Sequence, residues 1–392
     1  MNGSRPLRIG IVAGEESGDL LAADLVDELR KRTGRDIMLC GVGGRHLEAK
    51  GLKPLFDGSE IALIGISAVI RDLPRLLKRI GQVAHAIAEF EPDCVLTIDS
   101  PAFCLRVAGR IRARAPTVPI IHYVCPSVWG WAPWRAPKMK TQVDHVLCLL
   151  PFEPAELERL DGPPGTFVGH RLASHPAVLD IALSRESRKP GGSPPTLLVL
   201  PGSRRSEVAR LLDPFGQTVK LLADRGNEFS IIVPTLPKLR ESIEQAAVNW
   251  PVRPSIVIGD QAKWEAFAAA DVALAASGTV TLELALAGVP LISCYRTDWM
   301  MRQARRLITT WAGALPNLIA DRVIVPEYYD EYLRPARLVR EIEQLWQDTP
   351  ARRAQMDGFQ QVRAALSTDR PAREIAGEVV LAQIEGRAGQ GS

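Results

Sequence analysis

The sequence has no long apolar run and no marked surplus of either charge. No run reaches the roughly 18 consecutive apolar residues that a membrane-spanning helix needs, and the N-terminal run 9–13 is too short for a secretory signal. The net charge of +3 over 392 residues gives no basis for bulk nucleic-acid binding. We therefore expect a cytoplasmic protein without a nucleic-acid partner.

Paired cysteines and metal motifs are also missing. The cysteines show no C-x-x-C spacing, and most lie in apolar, strand-like runs: Cys40, Cys94, Cys104, Cys125, Cys148 and Cys294. This pattern predicts reduced core residues and argues against a disulfide or zinc framework. No D-x-D motif that could hold a catalytic metal occurs in the chain. Neither a metal nor another cofactor is predicted.

What the sequence does contain is two series of alternating strand and helix patterns. The first series predicts strands at 7–13, 37–42, 93–98, 119–124, 143–149 and 166–168. The second predicts strands at 196–200, 229–233, 255–258, 271–276 and 289–293. Such alternation predicts right-handed βαβ units and parallel sheets, an α/β fold.

A chain of this length predicts two domains of roughly 150 to 200 residues each. The predicted N-terminal domain is 1–170, the predicted linker is 171–195 with its Pro- and Gly-rich stretch, and the predicted C-terminal domain is 196–367. A C-terminal helix at about 368–386 is a candidate to pack back on the first domain. Because ligands of open parallel sheets bind at the carboxyl ends of strands, we expect the loops of both domains to face a cleft.

The stretch 271–290 contains a strand, a turn at Ser277 and Gly278, and a helix, with polar groups only where a ligand could use them. Backbone N–H groups at the helix start, together with the Ser277 and Thr279 hydroxyls, suit a phosphate or pyrophosphate. Glu283, one turn further on, could accept hydrogen bonds from a ribose diol. The alternative is that Ser277 only caps the helix and Glu283 is a solvated side chain.

The first strand-to-helix loop of the second domain predicts another phosphate site. Gly202 allows a close backbone approach, Ser203 offers a hydroxyl, and Arg204 brings a positive charge to a helix N-terminus. We favour Arg204 over the adjacent Arg205 because it lies closer to the turn.

Two loops of the first domain carry acidic groups. In the loop after the first strand (GEESGD), Glu15 and Ser17 fit sugar hydroxyls, since two acids would repel a pyrophosphate; helix capping by Ser17 and Asp19 is the alternative. Asp99 ends an otherwise apolar strand, and a carboxylate there is a candidate general base. Capping of the next helix by Asp99 or Ser100 is the alternative for that loop.

A third loop of the first domain is rich in tryptophan. It holds three of the eight tryptophans of the chain within six residues: Trp129, Trp131 and Trp134. This loop, in which Ser127 and Trp129 are candidate substrate contacts, suits stacking on a sugar or covering an acyl chain, with Arg135 nearby to pair with a phosphate. His122, at a strand end, fits a structural role as well as a catalytic one.

Eight motifs together resemble the lipid A disaccharide synthases. They occur in order along nearly the whole chain: GEESGD (14–19), IDSP (98–101), HYVCPSVWGW (122–131), LLPFEP (149–154), FVGH (167–170), LPGSR (200–204), SGTVTLE (277–283) and PNLIA (316–320). The resemblance implies a GT-B fold of two Rossmann-like parallel-sheet domains and a metal-independent, inverting glycosyltransferase. The family's carboxylate, essential arginine, helix glutamate and asparagine fall on Asp99, Arg204, Glu283 and Asn317.

The implied reaction is the transfer of 2,3-diacylglucosamine from UDP to 2,3-diacylglucosamine 1-phosphate (lipid X), which gives lipid A disaccharide 1-phosphate and UDP in lipid A and lipopolysaccharide biosynthesis. Asp99 would be the base, and Arg204 would take charge on the leaving UDP. Since both substrates carry acyl chains, we expect peripheral association with the cytoplasmic leaflet of the inner membrane. A homodimer is compatible with the sequence.

Two stretches, 61–82 and 299–311, combine apolar residues with lysine and arginine, a composition typical of interfacial helices. They are the candidate membrane contacts. The alternative is that both are ordinary core-facing surface helices.

Two other functions stay open. A UDP-N-acetylglucosamine 2-epimerase-like enzyme would share the two-domain plan and a similar uridine site. An inactive UDP-sugar-binding homologue is the second alternative, because Ala102 and Cys104 stand where the family commonly has a second acid and a polar residue.

Overall fold

The computed structural model describes residues 5–58, 69–186, 190, 194–297, 302 and 304–388. The chain divides into two compact units: unit 1 comprises Met1–Gly169 and Thr368–Ser392, and unit 2 comprises His170–Ser367. None of the helices in the described ranges is long and apolar enough to cross a membrane.

Unit 1 is built on a parallel sheet with the order β2-β1-β3-β4-β5-β6. Its strands are β1 (Leu7–Ala13), β2 (Ile37–Val42), β3 (Cys94–Ile98), β4 (Ile120–Tyr123), β5 (His145–Cys148) and β6 (Gly165–Phe167). All residues of β3 and β4 are buried, as is usual for parallel strands covered on both faces. The helices before unit 2 are α1 (Glu16–Thr33), α2 (Arg45–Glu48), α3 (Val69–Glu89), α4 (Pro101–Arg114), α5 (Arg135–Lys140) and α6 (Glu153–Arg159).

Unit 2 has a second parallel sheet, with the order β12-β11-β10-β7-β8-β9. Its strands are β7 (Thr196–Leu200), β8 (Ser230–Thr235), β9 (Ser255–Ile258), β10 (Val272–Ala276), β11 (Leu291–Tyr295) and β12 (Glu327–Tyr329). All eleven predicted strands match β1 to β11 to within two residues at each end. The edge strand β12 is not predicted, because three residues are too few to show a period.

The helices of unit 2 are α7 (Pro176–Glu186), α8 (Arg205–Asp224), α9 (Arg240–Ala247), α10 (Asp260–Ala269), α11 (Thr279–Ala287), α12 (Leu315–Ala320), α13 (Pro335–Leu345) and α14 (Pro350–Leu366). Short 3-10 turns lie at Arg171–Ser174, Pro237–Leu239, Ala304–Leu307 and Asp330–Tyr332.

The segment 171–195, which the sequence predicts to be a linker, contains the helix α7 of unit 2. Arg185 anchors this helix: its guanidinium is almost fully buried and donates to the carbonyls of Gly288, at 2.8 Å, and Ala270, at 2.6 Å. The linker is predicted from local composition, which could not reveal this anchor because both carbonyl partners are far away in sequence.

The C-terminal helix α15 (Ala372–Ala388) belongs to unit 1 and packs on α1. Ala376 and Val380 are fully buried in the unit 1 core. Gly377 permits the close approach, since a Cβ at this position would lie 3.0 Å from the Glu28 side chain.

In each sheet the direction in which strands are added reverses at one point, between two neighbouring strands. In unit 1 the chain runs from β1 to β2 on one side and from β3 to β4 on the other. In unit 2 the corresponding neighbours are β7 and β10. The loops after these strands diverge and leave a crevice at the carboxyl ends of the strands, where open α/β sheets bind ligands.

Candidate functional site

Unit 2 contains a pocket of about 540 Å³ at the carboxyl ends of β7, β8, β9 and β10. The volume is within the usual range for small-molecule sites. The lining includes six residues predicted from the sequence: Ser203, Arg204, Ser277, Gly278, Thr279 and Glu283. Two separate sequence motifs therefore meet at the crevice between β7 and β10.

The turn after β10 has the form that the sequence predicts. All five residues of β10 are buried, Gly278 precedes the first turn of α11, and Gly288 closes the helix with a left-handed φ of 72°. In this described segment no side chain caps the helix, so the capping alternative for Ser277 is not observed. The start of α11 lies at the pocket with its hydroxyl-bearing residues, an arrangement suited to an anion.

Glu283 is paired with Lys263, a residue that the sequence analysis missed. Both carboxylate oxygens of Glu283 lie 3.3 Å from the Lys263 Nζ, and both side chains line the pocket. Burial raises the pKa of Glu283, and the ammonium of Lys263 opposes this shift. The alternative of a solvated Glu283 is wrong, since its side chain is only 17% exposed. Lys263 is on α10, so only tertiary packing brings the two together.

Arg204 lies at the start of α8, on the pocket, and its side chain is 79% exposed. Its Nη1 donates to Glu207 Oε1 at 3.0 Å, while Glu207 Oε2 accepts from the backbone N–H groups of Ser203 and Arg204 at 3.3 Å. Glu207 thus occupies the helix N-terminus where the sequence predicts a phosphate. Arg205 lines a different groove of unit 2, between α8 and α9.

Asn317 is fully buried and does not line this pocket. Its Oδ1 accepts from the N–H groups of Ile324 and Val325 at 2.8 Å, and its Nδ2 donates to Glu327 Oε1 at 2.6 Å. Glu327 Oε2 in turn accepts from the backbone N–H of Gly313 at 2.9 Å. Asn317 is therefore placed in the interior, where it fixes the segment that leads into β12; direct substrate binding by Asn317 stays a prediction.

Gly313 connects this buried network to the pocket. A Cβ at Gly313 would lie 3.3 Å from the Ser277 Oγ, so the segment held by Glu327 packs next to the Ser277 hydroxyl. The network therefore supports the turn at Ser277 and Gly278.

In unit 1, Asp99 follows β3 and is half-buried. Asp99 and Ser100 have φ values of 53° and 41°, both in the left-handed region, which non-glycine residues rarely adopt. No side chain caps α4 in this described segment, so neither residue has the capping role considered above. Strain of this kind persists only where the surrounding structure enforces it, and it concentrates at functional sites.

The loop after β1 meets the loop that carries Asp99. Gly18 packs against the end of β3, since a Cβ at this position would lie 3.2 Å from Ile98 Cγ2 and 3.8 Å from Asp99 Cβ. Glu15 and Ser17 are exposed nearby, at the start of α1. A shared ligand for these residues and Asp99 stays a prediction.

Asp19, by contrast, has a structural role that differs from the predicted capping of its own helix. It is buried within α1, and its carboxylate accepts from the backbone N–H groups of Gly44 at 2.7 Å and His46 at 2.8 Å. It therefore caps α2, a helix that starts 26 residues later in the sequence. The sequence could not show this, since the two helices meet only in the fold.

The tryptophan-rich loop follows β4. Ser127 is exposed, Trp129 is half-buried, and Trp134 is 60% exposed. His122 is fully buried, and its Nδ1 lies 2.8 Å from the Thr97 Oγ1 of the neighbouring strand. Burial lowers the pKa of His122 to about 4, so its role in the described structure is that of a neutral core residue.

Comparison with known proteins identifies the family. Residues 9–378 match the lipid-A-disaccharide synthetase family. The chain belongs to this family. A lipid-A-disaccharide synthase of Rhodopseudomonas palustris strain HaA2 is 44% identical over 362 residues, which cover 92% of each chain. The prediction of a glycosyltransferase of lipid A biosynthesis is thereby confirmed, and the epimerase alternative is not favoured.

Solved structures support the predicted GT-B fold class. A UDP-GlcNAc 2-epimerase from Neisseria meningitidis bound to UDP-GlcNAc has a TM-score of 0.57 and 12% identity, with 97% of this chain and 100% of that chain covered. MurG of Acinetobacter baumannii has a TM-score of 0.57 and 14% identity, with 96% and 99% covered. At such identities the likeness shows the fold alone. The predicted fold class is confirmed by these neighbours together with the two parallel sheets.

Ala102 and Cys104, which depart from the family pattern, differ in their burial. Cys104 is fully buried in the unit 1 core, with its Sγ 3.6 Å from the carbonyl oxygen of Ile98. Ala102 is exposed in the first turn of α4. Cys104 therefore has the packing of a core residue.

The candidate membrane stretches are described only in part. Residues 61–68, 299–301 and 303 of these stretches lie outside the described residues. In the described part of 61–82, Leu76 and Ile80 are core residues, so the core-facing alternative is correct for them, whereas Leu77 is exposed. In 299–311 the predicted helical stripe is wrong for the described part, because the 3-10 turn Ala304–Leu307 ends before Trp311. Trp311 is nevertheless 55% exposed.

Proposed function

We propose that the protein transfers a 2,3-diacylglucosamine unit from UDP to the 6-hydroxyl of 2,3-diacylglucosamine 1-phosphate, with inversion at the anomeric carbon. Membership of the family supports this reaction. The observation that carries the residue assignments is the pocket of unit 2, where two distant motifs converge at the crevice between β7 and β10.

We assign the donor nucleotide to this pocket. The pyrophosphate is placed against the start of α11, where Gly278 leaves room: no atom lies within 4 Å of the position a Cβ would take. The ribose diol is assigned to Glu283, which Lys263 holds through both carboxylate oxygens. A carboxylate with its charge compensated in this way can accept hydrogen bonds from two hydroxyls without a large desolvation cost.

Arg204 is assigned to the charge that develops on the leaving UDP. In the described structure its guanidinium contacts Glu207, so pyrophosphate binding exchanges one anionic partner for another with more charge. The high exposure of Arg204 leaves the side chain room to make this exchange.

Asp99 is assigned as the general base on the acceptor. Its half-buried position after β3, with Glu15 and Ser17 near the same strand end, suits a sugar whose hydroxyl must be oriented and deprotonated. Ser127 and Trp129, after the adjacent strand β4, are assigned to the same acceptor. The strained backbone at Asp99 and Ser100 supports this placement.

UDP release from purified protein tests the reaction. We expect release only when UDP-2,3-diacylglucosamine and lipid X are both present, together with a new disaccharide of matching mass. Release or epimerisation with UDP-N-acetylglucosamine alone would favour the epimerase. UDP binding without turnover of any of these substrates would favour an inactive sugar-nucleotide-binding homologue.

We also propose that the protein acts at a membrane surface, since both substrates are acylated. The described surface of unit 1 offers exposed apolar and basic groups that suit a bilayer interface, among them Trp134, Leu77 and Lys78. Trp311 of unit 2 is the corresponding exposed residue in the second candidate stretch.

A further inference from the structure

Glu153, the acid of the LLPFEP motif, is a buried carboxylate that has no role in the proposed reaction. It is the first residue of α6, the helix that follows β5, and is only 3% exposed. A buried carboxylate is costly unless each oxygen is hydrogen-bonded, so its partners indicate its purpose.

The partners of Glu153 belong to two different loops. Oε2 accepts from the backbone N–H groups of Leu149 and Leu150, both at 3.0 Å, which fixes the loop between β5 and α6. Oε1 accepts from the indole Nε1 of Trp129 at 3.3 Å. The ring of Trp129 also packs edge-on against Phe152, with centroids 5.1 Å apart and planes at 84°. One carboxylate therefore joins the loop after β5 to the loop after β4.

The loop that carries Trp129 needs such a support. It leaves β4 through Val124, whose φ of 76° is strained for a β-branched residue. It then turns tightly, since the carbonyl of Ser127 accepts from the N–H groups of Gly130 at 3.1 Å and Trp131 at 2.9 Å. Strained conformations persist only where contacts outside the strained residue enforce them, and the bond from Trp129 to Glu153 is such a contact.

The surroundings of Glu153 favour this support over metal binding. Cys125, Cys148 and Glu153 have ligand atoms within 4.8 Å of one another, and all three residues are buried. Both oxygens of the carboxylate, however, already accept from N–H donors. A hydrogen bond with Cys148, together with burial, raises the pKa of the Cys125 thiol well above its usual range. The Cys125 thiol thus packs beside the carboxylate as a neutral group.

We propose that Glu153 is a positioning residue for the acceptor: it fixes the Trp129 indole and thereby holds the Ser127–Trp129 loop in the shape that receives the acylated sugar. This inference rests on the proposed function, which assigns that loop to the acceptor. β4 and β5 are adjacent parallel strands, so both loops lie at the ligand-binding edge of the sheet. Glu153 acts through Trp129 and does not itself touch the substrate.

The test uses three single variants of the full chain and the double variant of Glu153→Gln with Trp129→Phe. Glu153→Gln keeps the size of the side chain but places an N–H donor where an acceptor is needed. Trp129→Phe removes the indole donor and keeps an aromatic ring. Glu156→Gln is the matched control, since Glu156 lies on the same helix and pairs at the surface with Arg159 at 2.6 Å. KM for lipid X is measured at saturating donor, and the Kd for UDP is measured by calorimetry.

We expect Glu153→Gln and Trp129→Phe each to raise KM for lipid X about tenfold, the size of effect that follows when one buried donor loses its acceptor. In the double variant, KM for lipid X should rise no more than in the more strongly affected single variant, because both changes remove the same contact. Glu156→Gln should match the wild type, and all variants should keep the wild-type Kd for UDP. The part of the near-ultraviolet circular dichroism that is lost in Trp129→Phe, which is the signal of Trp129, should also be lost in Glu153→Gln.

A wild-type KM in folded Glu153→Gln would overturn the proposal, as would effects that multiply in the double variant. If Glu153→Gln does not fold, the test depends on Trp129→Phe. An unchanged KM of Trp129→Phe for lipid X would then overturn the proposal. Failure of the proposed function is seen separately, as a wild type that binds UDP but releases none from the acylated substrates. The circular dichroism signal of Trp129 would then still show whether Glu153 fixes the indole.

Discussion

Asp99 occupies a backbone conformation that costs free energy, and the next residue does the same. Asp99→Asn keeps the size of the side chain but removes the base, so kcat should fall about 100-fold or more. The Kd for UDP should stay within about twofold of wild type, because the nucleotide is assigned to unit 2. Steady-state kinetics and calorimetry measure the two quantities. A variant that retains more than about a tenth of kcat would remove Asp99 from the role of base.

Arg204 and Arg205 provide a matched pair of neighbouring arginines. Arg204→Ala should weaken UDP binding and lower kcat together, by roughly 2–4 kcal/mol in transition-state free energy, because it removes positive charge from the pocket. Arg205→Ala should have little effect, since Arg205 lines a groove elsewhere in unit 2. The reverse order of effects in kcat/KM would assign the phosphate to Arg205.

Glu153 should make the stability of unit 1 depend on pH. Burial raises its pKa from 4.5 to about 7, so the folded state binds the proton more tightly than the unfolded state. Its contribution to stability is present below pH 4.5 and is lost as pH rises to about 7, a loss of about 3 kcal/mol. Urea unfolding at several pH values should show this loss in the wild type and not in Glu153→Gln. Parallel pH profiles for the two proteins would contradict the prediction.

The helix α3 presents two sides of different character in its described part. Leu76 and Ile80 are packed in the core, whereas Arg75 and Lys78 are exposed. If α3 meets an anionic bilayer, changing Arg75 and Lys78 to serine should weaken vesicle binding by roughly 2 kcal/mol at low salt, about 1 kcal/mol for each charge. The core packing of α3 should be unaffected.

Sedimentation with anionic vesicles measures this effect. The control changes Lys31 and Lys53 to serine, which removes the same charge from other exposed positions of unit 1. Equal loss of binding in both variants would show an effect of net charge alone. Undiminished binding of the α3 variant would direct attention to Trp311.

The chain as a whole has two units, each with its own hydrophobic core. If UDP binds only in the pocket of unit 2, it should stabilise that unit by about 2.7 kcal/mol at a concentration of 100 times Kd. Calorimetric melting should then show one transition that moves to higher temperature with UDP and one that does not. In Arg204→Ala the shift at the same UDP concentration should shrink. Equal movement of both transitions in the wild type would contradict the prediction.

The sequence determined the strands, the order of the motifs and six residues of the unit 2 pocket. Parallel strands buried on both faces are continuous apolar runs, and such runs can be recognised without knowledge of their neighbours. The six predicted residues of the pocket follow two of these strands, and the rule that ligands bind at the carboxyl ends of strands placed them together.

Only the tertiary structure decided which polar side chains pair. Lys263 meets Glu283, Asp19 caps α2, and Arg185 anchors α7 through contacts whose partners are distant in sequence. Such pairs carry no local period, because each depends on how two helices or loops pack. Asn317 shows the same limit: its motif is recognisable in the sequence, but its burial depends on the path of the chain from Ile324 to Glu327. Local patterns specify elements, whereas the burial of polar groups is a property of the packed fold.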